Sequence, residues 1–335
     1  MSEREQRTNP ISATVDLERD GVQHGFLRLP HSRDDSAWGA VMIPITVAKN
    51  GAGPTVLLTG ANHGDEYEGP VALMDLATNL DLSMLSGRVI IVPAMNFPAF
   101  RAATRTSPID KGNLNRCFPG RPDGTVTEKI ADYFQRTLLP LADVVLDIHS
   151  GGKTLEFVPF CCAHRLTDKR QEQACVAAMH AFNAPYSMML LEIDSVGMYD
   201  TAAEEMGKVF ISTELGGGGT TSARTVNIAK RGVRNLLVHA GVMKGELARH
   251  SSTMLDMPGE DCFSFSEQDG LIEPCVDLGE AVSRGDLIAR IWPMDRTGVK
   301  PHEYRAKMSG VAAGRHFPGL VGAGDCISVL ATTMR

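Results

Sequence analysis

Thr55-Val56-Leu57-Leu58-Thr59 runs straight into Gly60-Ala61-Asn62-His63-Gly64-Asp65-Glu66-Tyr67-Glu68-Gly69, and this stretch decides the fold. The uncharged first part reads as a short buried strand, and the Gly-rich part as a turn that holds an imidazole and a carboxylate. Open α/β folds keep their sites at this carboxyl edge of the sheet. Two further apolar runs finish the same way. Val144-Val145-Leu146-Asp147-Ile148 ends at His149, and Val209-Phe210-Ile211-Ser212-Thr213 ends at Glu214. Together the strand ends deliver a His/Glu pair, a second His and a lone Glu. Those are the parts of a catalytic zinc site: His63, Glu66 and His149 as ligands, one position left for water, and a base nearby.

Outward from this stretch, strand and helix alternate. Helices are predicted near residues 66–80, 127–138, 170–181 and 225–243, and strands at 88–93, 144–149 and 208–213. Near-continuous apolar strands between helices predict an α/β chain whose sheet is largely parallel and covered on both faces. Residues 11–49 read as an entry region of short strands, with Pro44 marking an edge strand or a bulge. Past about His250 short β runs separated by Gly turns predict a small all-β unit, so the expected division is 1–250 and 251–335.

The chain has 335 residues, enough for a large core and about two domains. Lys and Arg total 33 against 40 Asp and Glu, a net charge of -7 that argues against nucleic acid or an anionic membrane as partner. The opening Met1-Ser2-Glu3-Arg4-Glu5-Gln6-Arg7 lacks the apolar segment of a secretory signal. No apolar run approaches the ~20 residues of a membrane span. Seven unevenly spaced cysteines fit a reducing compartment, so a cytoplasmic location is expected.

Taken singly, His63 or His149 is better read as a loop histidine satisfied by backbone, because His-x-x-Glu arises often by chance. Their joint placement at strand ends beside glycine favours a metal. Asp147 lies two residues before His149, on the same strand face, where it suits a ligand histidine's ring N–H. Glu214, on a core strand before four glycines, suits a general base that takes a proton from the metal's water. The polar loop around residues 104–120 offers Arg116 for a substrate carboxylate, Asn115 as a further donor and Arg105 for an oxyanion. Cys117 has no base tied to it, and Gly216–Gly219 lacks the Gly-Lys-Ser/Thr of a phosphate loop. His164, His239 and His316 lack a ligand-like neighbour in sequence and are expected to be structural or exposed.

His63-x-x-Glu66, Asn113-Leu114-Asn115-Arg116-x-Phe118-Pro119-Gly120, Asp147-x-His149 and Glu214-x-Gly-Gly, in this order, resemble the succinylglutamate desuccinylase/aspartoacylase family, related to zinc carboxypeptidases. The resemblance covers about residues 55–330. It implies a carboxypeptidase-like α/β/α sandwich with a mixed sheet, followed by a small β domain similar to a lipoyl sandwich but without a modifiable lysine. It also implies one Zn²⁺ per chain on His63, Glu66 and His149, Glu214 as base, Arg116 on the substrate carboxylate and Arg105 on the oxyanion. The wording of the His63 and Glu214 motifs is most similar to the ectoine-degradation branch, which implies Nα-acetyl-L-2,4-diaminobutyrate as substrate. Such a substrate would want an acidic wall, for which Glu192, Asp194 and Asp200 are in reach. The expected partner is thus a small N-acyl amino acid, and the expected assembly a homo-oligomer, a dimer. An aspartoacylase- or desuccinylase-type hydrolase, and more remotely a non-catalytic metal-binding protein, remain open from sequence.

Overall fold

Thr55–Gly60 is wholly buried, with Gly87–Val92 parallel on one side and Val144–His149 parallel on the other. Its alternate residues feed two different cores. Val56 and Leu58 pack with Leu73, Phe182, Ile228 and Leu236 on one face, while Leu57 packs with Ile130, Phe134, Tyr199 and Phe210 on the other. A strand apolar on both faces requires cover on both. The helices Glu68–Asn79, Lys169–Phe182 and Ala223–His239 supply it on one side, and Val126–Tyr133 and Tyr199–Glu205 on the other. The result is an α/β/α sandwich around a mixed sheet, described for residues 8–334 of the computed structural model. The opening at residues 1–7, from which no secretory signal is expected, lies outside the described residues.

Local chemistry explains most boundaries. Thr125 and Glu128 form a reciprocal cap at one helix start, Ser222 and Thr225 at another, and Asp168 accepts two backbone N–H groups at a third. The first helix starts at Glu68, not 66, so Glu66 and Tyr67 stay in the turn. The helix expected at 127–138 is α-helical over Val126–Tyr133 and widens into a π-turn over Phe134–Leu138. The strand expected to stop at 213 runs one residue further and includes Glu214.

Gly21–Pro30 and Ala40–Asn50 form a long hairpin that joins the sheet through Gly87–Val92. Pro44 lies before the pairing with Gly87–Val92 begins at Thr46, where the strand has a single neighbour. That is the edge position a missing N–H requires. Beyond Val209–Glu214 the sheet continues through Phe160–Ala163, Tyr186–Met189 and Thr253–Asp256 to Cys326–Thr333, so hydrogen bonding crosses residue 250 without a break. A second, antiparallel sheet of four strands is made from His302–Arg305, Leu287–Trp292, Gly270–Pro274 and Leu320–Val321. Among the described residues no helix is long and apolar enough to cross a membrane.

Candidate metal centre and active site

In the parallel pairing of the two central strands, His149 stands opposite Glu214 and Asp147 opposite Ser212; on the other edge Asp147 stands opposite Thr59. Opposed residues of neighbouring strands share a face, and so do residues two apart on one strand. Thr59, Asp147, His149, Ser212 and Glu214 are therefore gathered on one side of the sheet at its carboxyl edge. The turn after Thr55–Gly60 adds His63 and Glu66. It is bent by Ala61, which takes a left-handed conformation at φ 47°. Gly64 serves a different need, since a Cβ there would collide with the Ala99–Phe100 peptide of the helix Phe97–Ala102. Close approach demands this glycine.

Glu66 bridges the two histidines. Its Oε1 lies 2.8 Å from His63 Nδ1, its Oε2 lies 2.9 Å from His149 Nδ1, and the Ser150 amide donates to Oε2 at 3.1 Å. All three residues are buried, and their ligand atoms lie within 4.8 Å of one another. His63 Nε2 is buried without a hydrogen-bond partner. An unpaired ring nitrogen beside a second imidazole and a carboxylate is a donor set that fits a divalent cation of zinc's preferences. Asp147 sits where the sequence puts it, its Oδ2 accepting from His149 Nε2 at 2.7 Å. Thr59 and Asn62, which sequence reasoning missed, hold Asp147 in turn: the Thr59 hydroxyl donates at 2.7 Å and the Asn62 amide at 2.9 Å.

Charge follows this geometry. Burial alone would raise Glu66, but its interactions with the His63 and His149 imidazoles outweigh it and hold the carboxyl well below its usual range. Burial, opposed by Glu66 and reinforced by Arg105, lowers His63 below an ordinary histidine, in the direction of the neutral form a metal ligand needs. His149 is lowered by burial yet raised far more by Asp147 and Glu66, so its pKa stands well above normal. A cation at this site competes with that proton. Glu214 is pushed well up by burial and by the charge of Glu66, with His149 and Arg105 pulling the other way, and its Oε2 has no partner. A carboxyl so balanced is suited to take up and return a proton.

The expected anchors reach the same cavity, of about 140 Å³, which Arg105, Arg116, Asn115, Glu192, Asp200 and Glu214 help to line. Arg105 is about half exposed (48%) and holds its guanidinium 3.8 Å from Glu66 Oε1. Arg116 is exposed at the end of the turn Leu114–Arg116. Asn115 is also tied to the scaffold. Its Oδ1 accepts the Tyr199 amide at 2.9 Å, so it fixes the start of the helix Tyr199–Glu205 while the residue lines the cavity. Cys117 donates to the Asn113 carbonyl, and burial pushes its thiol up to about 11, which removes it as a nucleophile. Gly216–Gly219 all take positive φ, and the Gly216 carbonyl accepts the Gly151 and Phe157 amides, so the tract is a rim brace.

His164 takes the structural of its two expected roles, with carboxylate neighbours that only the fold supplies. It is nearly buried, its Nδ1 lies 2.9 Å from Glu204 and its Nε2 lies 3.7 Å from Glu192, and Asp200 completes the group. Its partner Glu204 lies 40 residues away in the chain, where no local pattern could reveal it. Of the three acids expected near a substrate ammonium, Glu192 and Asp200 line the metal cavity, whereas Asp194 lines the apolar groove beside it.

Residues 52–240 match the model of the succinylglutamate desuccinylase/aspartoacylase catalytic domain. The chain is 56% identical over 329 residues to the N-alpha-acetyl-L-2,4-diaminobutyric acid deacetylase of Halomonas elongata, covering 98% of this chain and 96% of that protein. Among solved structures it resembles the product-bound ectoine utilization protein EutE (DoeB) of Ruegeria pomeroyi, with 67% identity, a TM-score of 0.97 and coverage of 98% of this chain and 100% of the other. A succinylglutamate desuccinylase from a Silicibacter species is similar as well, at 65% identity and a TM-score of 0.95, over 98% of this chain and 100% of the other. By sequence and by fold, this chain belongs to the succinylglutamate desuccinylase/aspartoacylase family.

Proposed function

We propose that this chain is a zinc-dependent amidohydrolase that converts Nα-acetyl-L-2,4-diaminobutyrate to L-2,4-diaminobutyrate and acetate in ectoine degradation. The names of the Halomonas and Ruegeria relatives support the branch. The observation that carries it on this chain is the charge inventory of the cavity. Its only cationic side chains among the described residues, histidines aside, are Arg105 and Arg116, and Glu192, Asp200 and Glu214 face them. A succinyl group, or the side chain of an N-acyl aspartate, carries one more carboxylate and needs one more cation. Once Arg116 takes the α-carboxylate and Arg105 the carbonyl oxygen, none is left. An acetyl group needs no such partner. This separates the deacetylase reading from the desuccinylase name of the Silicibacter structure.

In this reading His63, Glu66 and His149 hold one Zn²⁺, and Asp147, fixed by Thr59 and Asn62, sets the ring of His149. A bound cation supplies Lewis acidity and makes a nearby water easier to deprotonate. Glu214 takes that water's proton on its unpartnered oxygen and later returns it to the departing amine. Arg105 hydrogen-bonds the carbonyl oxygen as negative charge develops there, and Arg116 fixes the far end of the substrate so that the amide carbon stays within reach. Residues 1–250 are assigned to the catalytic unit, and 251–335 to a β unit that contributes Met257, Phe263 and Phe265 to the groove beside the site. A cytoplasmic homodimer completes the reading, and light scattering tests its assembly.

The deciding experiment measures acetate or succinate release by zinc-loaded protein from Nα-acetyl-L-2,4-diaminobutyrate, N-acetylaspartate and N-succinylglutamate, with a chelated control. Rapid, chelator-sensitive release from the first substrate is expected. Turnover confined to the acidic substrates would overturn the substrate assignment, and no turnover with equimolar zinc would favour a binding protein.

A further inference from the structure

The chemistry above leaves one charged group in the cavity unused. His164, just past the strand Phe160–Ala163, directs Nδ1 to Glu204 and Nε2 towards Glu192. Asp200, on the helix Tyr199–Glu205, is only 6% exposed and lines the cavity with Arg116, Glu192 and Glu214. Its Oδ1 accepts the amide and hydroxyl of Thr201, and its Oδ2 has no hydrogen-bond partner among the described residues. One imidazole thus faces three carboxylates. The neighbouring Arg165 does not correct the balance, because its guanidinium is turned to Asp256. That oxygen is not among the fully buried, unpaired ones of the described residues, so it opens on the cavity, where an incoming donor can reach it.

We propose that Asp200, with Glu192 beside it, is the subsite for the substrate's side-chain ammonium. The inference rests on the deacetylase reading of the same cavity and adds the group that selects a diamino acid over a neutral one. An alkylammonium carries three N–H donors and no acceptor, which suits two carboxylates in reach of one another. The cavity wall beside them includes Met198 and Phe210, both nearly buried, where the methylenes of a short side chain find apolar cover. Burial pushes the Asp200 carboxyl up to about 6, with Glu192 adding to the rise against His164, so a bound cation would be drawn to it and would favour its charged form. His164 and Glu204 are positioning residues: the imidazole fixed by Glu204 presents its other nitrogen to Glu192 and keeps that carboxylate at the cavity wall.

The test compares the zinc-loaded wild type with Asp200→Asn and Glu192→Gln on Nα-acetyl-L-2,4-diaminobutyrate and on Nα-acetyl-L-2-aminobutyrate, which lacks the ammonium. The ratio of the two kcat/KM values should fall about a hundredfold in Asp200→Asn and about tenfold in the more exposed Glu192→Gln variant. An unchanged ratio in folded variants, checked by thermal melting, would overturn the subsite. So would a second equivalent of zinc in the wild type that is lost from Asp200→Asn, since the group would then hold a metal. Calorimetry with L-2,4-diaminobutyrate and L-2-aminobutyrate reads the same preference without turnover. If the wild type releases no acetate, the deacetylase reading fails, and this binding preference still decides the subsite.

Discussion

Two histidines of this chain are each braced by a carboxylate, and their surroundings suit them to different uses. His149 stands at the end of a central strand between Asp147 and Glu66, and both carboxylates are themselves held, Asp147 by Thr59 and Asn62 and Glu66 by the Ser150 amide. His164 is braced by Glu204 on one side, but its other nitrogen opens on Glu192, a quarter exposed (26%), and on Asp200 with its free oxygen. The first set is braced by hydrogen bonds on every side except at His63 Nε2, which suits it to hold an ion in fixed geometry. The second keeps unsatisfied capacity, which suits a cation that comes and goes with each turnover. Both sets are His/carboxylate clusters, and composition alone would not separate them. The hydrogen bonds behind them do.

Variants can break or sharpen that distinction. The largest effect is expected from Glu214→Gln, which keeps the shape of the side chain and removes its basicity. Turnover of Nα-acetyl-L-2,4-diaminobutyrate should fall by about 10²–10⁴-fold, the range for loss of a general acid–base group, while equimolar zinc remains bound. Near-normal turnover with intact metal would take Glu214 out of the reaction. A smaller effect is expected from Asp147→Asn. The amide can no longer accept His149's ring proton as a charged partner, so zinc affinity in a competitive chelator titration should drop about 10–100-fold. Asp200→Asn should leave zinc affinity where it was. Equal loss of zinc in both variants would mean that the two clusters act as one.

The residues of the candidate metal group stand out in the sequence because they sit at the end of an apolar run long enough to fix its own strand, or in the turn that follows one. His149 and Glu214 close such runs, and the period of two along the strand carries Asp147 to the same face. Asn62 and Thr59 lay in plain view beside His63, but nothing local says that their side chains turn to a strand 85 or more residues away. The ammonium subsite was only half legible. Its acids could be suggested from the sequence, but the strands that frame them, Leu155–Phe157, Phe160–Ala163 and Tyr186–Met189, have three or four residues each and show no usable periodicity. The continuation of the main sheet past residue 250 was hidden for a related reason. Thr253–Asp256 joins by parallel pairing with Tyr186–Met189, a contact between distant segments that neither segment announces.

The smallest effect on turnover, and the clearest pH signature, is expected at His164. Burial lowers its pKa, but Glu192 and Glu204 outweigh it and, with help from Asp200, carry the value from the ordinary 6.5 to about 10. A pKa raised in the folded state means that the charged imidazole stabilises the fold fully below about 6.5, and that this contribution is lost as pH rises through about 10. His164→Gln removes the charge at every pH. Denaturant unfolding should therefore show the wild type more stable than the variant by about 1.5–3 kcal/mol near pH 7, the scale of one hydrogen bond to a charged group. The gap should narrow steadily towards pH 10. Working above pH 7 keeps Asp200, pushed up to about 6, mostly ionised throughout and so out of the slope. A gap that stays constant with pH would mean that His164 acts by packing alone and stays neutral, and the second cluster would then face the cavity with a larger surplus of negative charge than its geometry implies.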